Sequence, residues 1–159
     1  MTIETTVETG TWEVGGTPGF WGSWDSHNTY TKEDIEGWLF PDIDTPSHWL
    51  VPDMDGNDII DINDMQAVFA AGEGGTMEEK FLAHYLATRL NAKADRLYLG
   101  TTHDVIGISG YSYLGLATPA FATLTDIIVA IESKYGTPPT EGEFEIMKNI
   151  CDALNNMEI

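Results

Sequence analysis

Four threonines that stand at the head of an apolar stripe each have an acid three residues later: Thr31 with Asp34, Thr76 with Glu79, Thr123 with Asp126, and Thr140 with Glu143. At that spacing the threonine oxygen accepts from a backbone N–H left orphaned at a helix start, and the acid reaches back to the threonine's own N–H. Each pair therefore predicts where a helix begins. Apolar residues at helical spacing follow each one. Ile35, Trp38 and Leu39 form the first stripe, and Met77, Phe81, Tyr85, Leu86 and Leu90 form the longest. Leu124, Ile127, Ile128 and Ile131 form the third, which stops at Gly136 before Pro138 and Pro139. Phe144, Met147, Ile150, Cys151, Leu154 and Met157 form the last. The expected fold is mainly α with a small β component, built around one core.

The β component is expected at the start. Ile3, Thr5, Val7 and Thr9 alternate with Thr2, Glu4, Thr6 and Glu8, which reads as a strand. After Gly10 the parity slips and Trp12 and Val14 become the apolar pair, the signature of a bulge. Gly15, Gly16, Pro18 and Gly19 then break the chain. The organisation expected is an N-terminal strand over 1–16, available as a donor or inter-subunit strand, and a single domain over 17–159. The stretch 97–121 is rich in glycine, serine and tyrosine without a sustained period, and reads as a long ordered loop with room for short strands.

Between the first and second helical stripes lies Asp53-Met-Asp-Gly-Asn-Asp-Ile-Ile-Asp-Ile-Asn-Asp64. A twelve-residue calcium loop of the EF-hand type supplies oxygens from positions 1, 3, 5, 7, 9 and 12. Here those are Asp53, Asp55, Asn57, the carbonyl of Ile59, Asp61 and Asp64, and every side-chain position holds an oxygen ligand. Position 8 is Ile60, an apolar anchor expected in a short strand. Met65, Val68 and Phe69 continue at helical spacing and predict an exiting helix. Position 6 holds Asp58 where glycine is usual, and Asp is among the few non-glycine residues that tolerate a left-handed backbone. Position 12 is Asp64 rather than glutamate. With that shorter acid the run resembles a dockerin half-repeat over about twenty residues. A dockerin has two such repeats and no second one occurs here, so the resemblance implies calcium ligation and not cohesin binding. The remaining alternative is an acidic loop without an ion.

The sequence carries 26 acidic against 7 basic residues, a net charge of −19. No basic surface is available to neutralise phosphates or anionic lipid, which argues against nucleic-acid and membrane-surface partners. No apolar run is long enough to span a bilayer, and no N-terminal segment has the pattern of a signal peptide. An extracellular location would therefore require a signal already removed. Cys151 is the only cysteine and falls in a helical stripe, so it reads as a buried small hydrophobe.

Other groupings are weaker. Asp42 and Asp44 offer a second pair of hard-cation ligands. Asp25 near His27, and His103 beside Asp104, could with His48 and His84 build a zinc or hydrolase site, but none of them has a metal-ligand spacing such as His-Glu-x-x-His. No nucleophile elbow, P-loop or dinucleotide fingerprint is present. Trp12, Trp21, Trp24, Trp38 and Trp49 crowd the first third: exposed they would stack on a glycan, buried they would form core.

Thr17-Pro-Gly-Phe-Trp21 resembles the opening motif of modules found in secreted bacterial and archaeal surface proteins. In those modules a later helix resembles Leu82-Ala-His-Tyr-Leu-Ala-Thr-Arg-Leu-Asn91, and the two motifs occur here in the same order. Where the family has Lys-Asn-His after the tryptophan, this chain has Gly22-Ser-Trp-Asp25. The resemblance implies a non-catalytic part of the cell exterior. The functional expectation is a non-enzymatic, Ca2+-stabilised extracellular structural or interaction protein, self-associating as a homo-polymer or within a surface assembly or filament. The alternatives are a carbohydrate- or protein-binding surface module and a metal-dependent hydrolase.

Overall fold

The structure, a computed structural model, describes residues 16–27, 29–43 and 50–159. Residues 1–15 of the strand expected over 1–16, with Trp12, and Asp44, His48 and Trp49 lie outside the described residues. Within them the protein is mainly helical, with seven α-helices and one two-stranded antiparallel sheet.

All four threonine–acid pairs are reciprocal capping boxes, as their spacing predicts. They open α3 (Lys32–Gly37), α5 (Met77–Lys93), α6 (Leu124–Tyr135) and α7 (Glu141–Asn155). The loop's exiting helix is α4 (Ile62–Gly72). The other two helices are short. α1 (Pro18–Gly22) is capped by Thr17, whose side chain accepts from Phe20 N, and Pro18 occupies its first turn. The Pro-Gly pair read as a chain break is therefore a helix start, because proline at the first helical position loses no hydrogen bond. α2 (Trp24–His27) follows at once.

The first predicted stripe runs past its helix. After Gly37 the chain passes into a wide turn, Trp38–Ile43, interrupted at Phe40 (φ −135°, ψ 129°). Leu39 and Ile43 are buried all the same, so the turn continues the apolar face by tertiary packing rather than by regular helix.

α5 and α7 form the centre. Phe81, Leu86 and Leu90 of α5 are buried with Met147, Ile150 and Leu154 of α7. Cys151 is buried there as expected, and burial pushes its thiol up to about 12, with Thr88 pulling weakly the other way. The stretch 97–121 is ordered by short elements: β1 (Thr102–His103), two 3-10 turns (Tyr111–Leu114 and Pro119–Phe121), and a following β2 (Ala122–Thr123). The ladder pairs Thr102 with Thr123 and His103 with Ala122. Among the described residues no helix is long and apolar enough to cross a membrane.

A buried polar network ties α1 to this centre. Asn91 Oδ1 accepts from Gly16 N at 2.6 Å and from Trp21 Nε1 at 2.9 Å, and its Nδ2 donates to Gly16 O and to Asn155 Oδ1, each at 2.9 Å. Thr88 Oγ1 donates to the same Asn155 oxygen at 2.9 Å. Every polar atom of the Asn91 side chain is thereby used in a site closed to water, as burial demands. Gly16 fits because a Cβ there would stand 2.5 Å from Trp21 Nε1.

Candidate metal centre

The loop from Asp53 folds around its own carboxylates. Asp53 Oδ1 accepts from Gly56 N at 2.9 Å and Asn57 N at 3.3 Å, and its Oδ2 accepts from Asp58 N. The chain reverses through Gly56 (φ 76°) and Asp58 (φ 66°). Asp58 thus takes the left-handed conformation that position 6 requires, at the cost expected for a side chain with a Cβ. Ile60 is buried as an anchor. No strand forms at Ile60 among the described residues. A short bridge there needs a second loop to pair with, and the sequence holds only one.

Asp64 closes the loop. Its Oδ1 accepts from Met54 N at 2.7 Å and Asp55 N at 3.1 Å, and its Oδ2 accepts from Asp61 N at 3.0 Å. Asp61 caps α4 in return, accepting from Asn63 N and Asp64 N. Asp61 and Asp64 therefore form a fifth capping box. An Asp-x-x-Asp search with the rule applied to the threonines would have found it.

Asp53, Asp55 and Asp64 come together, each offering an oxygen within 4.8 Å of the others, and this acidic triad can hold a metal ion. Asp61 and Asn57 lie beside it: Asn57 Nδ2 donates to Asp61 Oδ2 at 3.2 Å and to Asp55 Oδ2 at 3.4 Å. Asn57 Oδ1 accepts from Ile59 N. The donor set is all oxygen, which suits a hard cation.

The carboxylates titrate apart. Desolvation raises Asp55, aided by its contact with Asp53 and repulsion from Asp64 and Asp61. Desolvation also raises Asp64, with repulsion from Asp61 and against hydrogen bonds from Asp61, Met54 and Asp55 N–H. For Asp53 desolvation is outweighed by the N–H of Asp58, the contact with Asp55, and the N–H groups of Gly56 and Asn57, so its net shift is downward. Asp61 is lowered in the same way, chiefly by the N–H of Asp64 opposing desolvation. Like charges gathered without a counter-charge behave so, and a dication would remove the repulsion.

The other candidates are dispersed. Asp42 pairs with Lys93 Nζ at 2.7 Å, and its expected companion Asp44 lies outside the described residues. His27 stacks on Phe20 with ring centroids 4.3 Å apart. His103 is buried, its Nδ1 3.1 Å from the Ile159 carbonyl. His84 is half-buried on α5, its Nδ1 3.6 Å from Asp152, where it borders a cleft of about 540 Å³ shared with Gly22, Phe69 and Lys80. Among the described residues no histidine joins the Asp triad. Of the described tryptophans, Trp21 is buried and Trp24 and Trp38 are half-buried. Trp21 stacks on Tyr30 with centroids 5.4 Å apart and meets Trp38 edge-on, so these rings serve as core.

Comparison with family models, curated proteins and solved structures returned no match to this chain.

Proposed function

We propose that this chain is a non-enzymatic, calcium-stabilised structural or interaction protein of the cell exterior, serving as a subunit of a surface assembly or filament. The observation that carries the reading is the convergence of Asp53, Asp55 and Asp64 around a loop whose sixth residue, Asp58, is left-handed. Calcium is the cation that this oxygen-only loop, with its twelve-residue EF-hand spacing, suits best. The full ligand set is Asp53, Asp55, Asn57, the Ile59 carbonyl, Asp61 and Asp64. The ion's task is structural: it neutralises the loop and holds the start of α4 against α5. At a calcium concentration ten times the dissociation constant the gain is about 1.4 kcal/mol. In a domain of this size that raises the melting temperature by roughly 3–6 °C.

The Thr17–Trp21 motif, built here as the cap and first helix of the domain, supports placement at the cell exterior. Calorimetry tests the ligand set: Asp53→Ala should abolish calcium binding, and undiminished binding refutes the assignment. Electron microscopy with millimolar calcium and with chelator tests the assembly. Calcium-dependent filaments support it, and a monodisperse monomer in both conditions sinks it.

A further inference from the structure

A cleft of about 540 Å³ opens between α1, α4 and α5. That volume lies within the roughly 300–1,000 Å³ typical of small-molecule sites. No residue of the Asp53–Asp64 loop lines it, so it is separate from the metal centre. Its apolar lining is Phe69 and Ala83, both buried, with Pro18 and Gly22 on the α1 side.

Two residues of opposite charge line the same cleft: Glu73, just past α4, and Lys80 on α5. They make no ion pair with each other or with any other described residue. That sets Lys80 apart in a chain of 26 acids and 7 bases. Arg89 pairs with Glu132 and Lys93 with Asp42, while Arg96 lies over the Phe20 ring and Lys134 over that of Tyr113. Lys80 is half-buried and stays unpaired.

His84 lies one helical turn beyond Lys80, on the same face of α5. Its Nδ1 is shut off from solvent, makes no hydrogen bond and stands 3.6 Å from Asp152 Oδ1. A carboxylate on that side favours the tautomer with the proton on Nδ1, which leaves Nε2 as an acceptor. Nε2 meets no donor among the described residues.

A cation, an anion and an imidazole acceptor over an apolar floor match one class of ligand. We propose that this cleft binds a free α-amino acid with an apolar side chain. The carboxylate pairs with Lys80, the ammonium lies toward Glu73 and His84 Nε2, and the side chain packs on Phe69 and Ala83. A ligand of one sign only would meet a like charge in the cleft, whereas a zwitterion satisfies both. The site depends on neither the calcium reading nor the assembly reading.

Heteronuclear NMR of the full-length protein in millimolar calcium tests it. The probes are L-phenylalanine with phenylpropionate and phenethylamine, and L-leucine with isocaproate and isoamylamine. In each set the second probe lacks the ammonium and the third lacks the carboxylate. At least one amino acid should shift the Gly22, Phe69 and His84 amides saturably, with both of its analogues about tenfold weaker or worse. Lys80→Gln and Glu73→Gln should each weaken it by about tenfold, and Lys80→Arg should keep most of the affinity. Lys32→Gln, at an exposed lysine outside the cleft, should change nothing. The analogue series uses the unmodified chain and decides the matter even where a variant fails to fold. Saturable binding by neither amino acid overturns the proposal. So does an analogue as tight as its amino acid, a folded Lys80→Gln of undiminished affinity, or shifts confined to Asp53–Asp64.

Discussion

Asp61 and Asp64 cap one another across the first turn of α4: Asp64 N donates to Asp61 Oδ1 at 3.1 Å, and Asp61 N donates to Asp64 Oδ2 at 3.0 Å. The other Asp64 oxygen accepts from Met54 and Asp55 N, and Asp64 belongs to the acidic triad. One buried carboxylate thus closes the loop and starts the helix while belonging to a triad that can hold a metal ion. Asp64→Ala should therefore destabilise the protein by about 1–3 kcal/mol in chelator, where no ion is involved. Asp55→Ala should cost little in chelator and lower stability mainly in calcium. Urea titrations under both conditions separate the two, and equal behaviour of both variants would contradict this division.

Asp58 has a φ of 66°. A left-handed residue with a Cβ costs about 1–2 kcal/mol, partly offset by glycine's extra freedom when unfolded. Asp58→Gly should leave thermal stability equal or up to about 1 kcal/mol higher, and Asp58→Val should lower it by more than that. A glycine variant clearly less stable than the parent would show that the Asp58 side chain has a role the backbone does not explain.

Asn91 satisfies Gly16 and Trp21 at once. Asn91→Leu would leave Gly16 N, Gly16 O and Trp21 Nε1 buried without partners, at about 1–3 kcal/mol each where water cannot enter. A loss of about 3 kcal/mol or more is expected from tryptophan-detected urea unfolding. A loss below about 1 kcal/mol would mean that water or neighbouring groups replace the amide.

Burial lowers the His84 pKa below the ordinary histidine value, against attraction from Asp152 and with repulsion from Lys148. The unfolded chain then holds the His84 proton more tightly than the folded one. Stability rises with pH across the window from the folded value up to about 6.5, and above it this group contributes no slope. His84→Gln should flatten that part of a melting-temperature profile below about pH 6.5, and an unchanged slope would remove His84 from the account.

What sequence determined by itself was local. The four threonine–acid pairs, the exiting helix after Asp64 and the left-handed tolerance of Asp58 involve partners within a few residues. Their geometry follows from spacing and backbone chemistry alone. Tertiary structure decided what joins distant residues. Asn91 and Asn155 look like unremarkable polar helix positions until Gly16, 75 residues before Asn91, comes to rest against them. The ladder between Thr102 and Thr123 has strands too short to leave a period-two pattern. Trp38 and Leu39 keep their helical spacing but sit in a wide turn, because burial against the core governs where they point. Pairings of this kind carry no repeat along the chain, since any buried polar or apolar group accepts whatever complementary group the fold delivers.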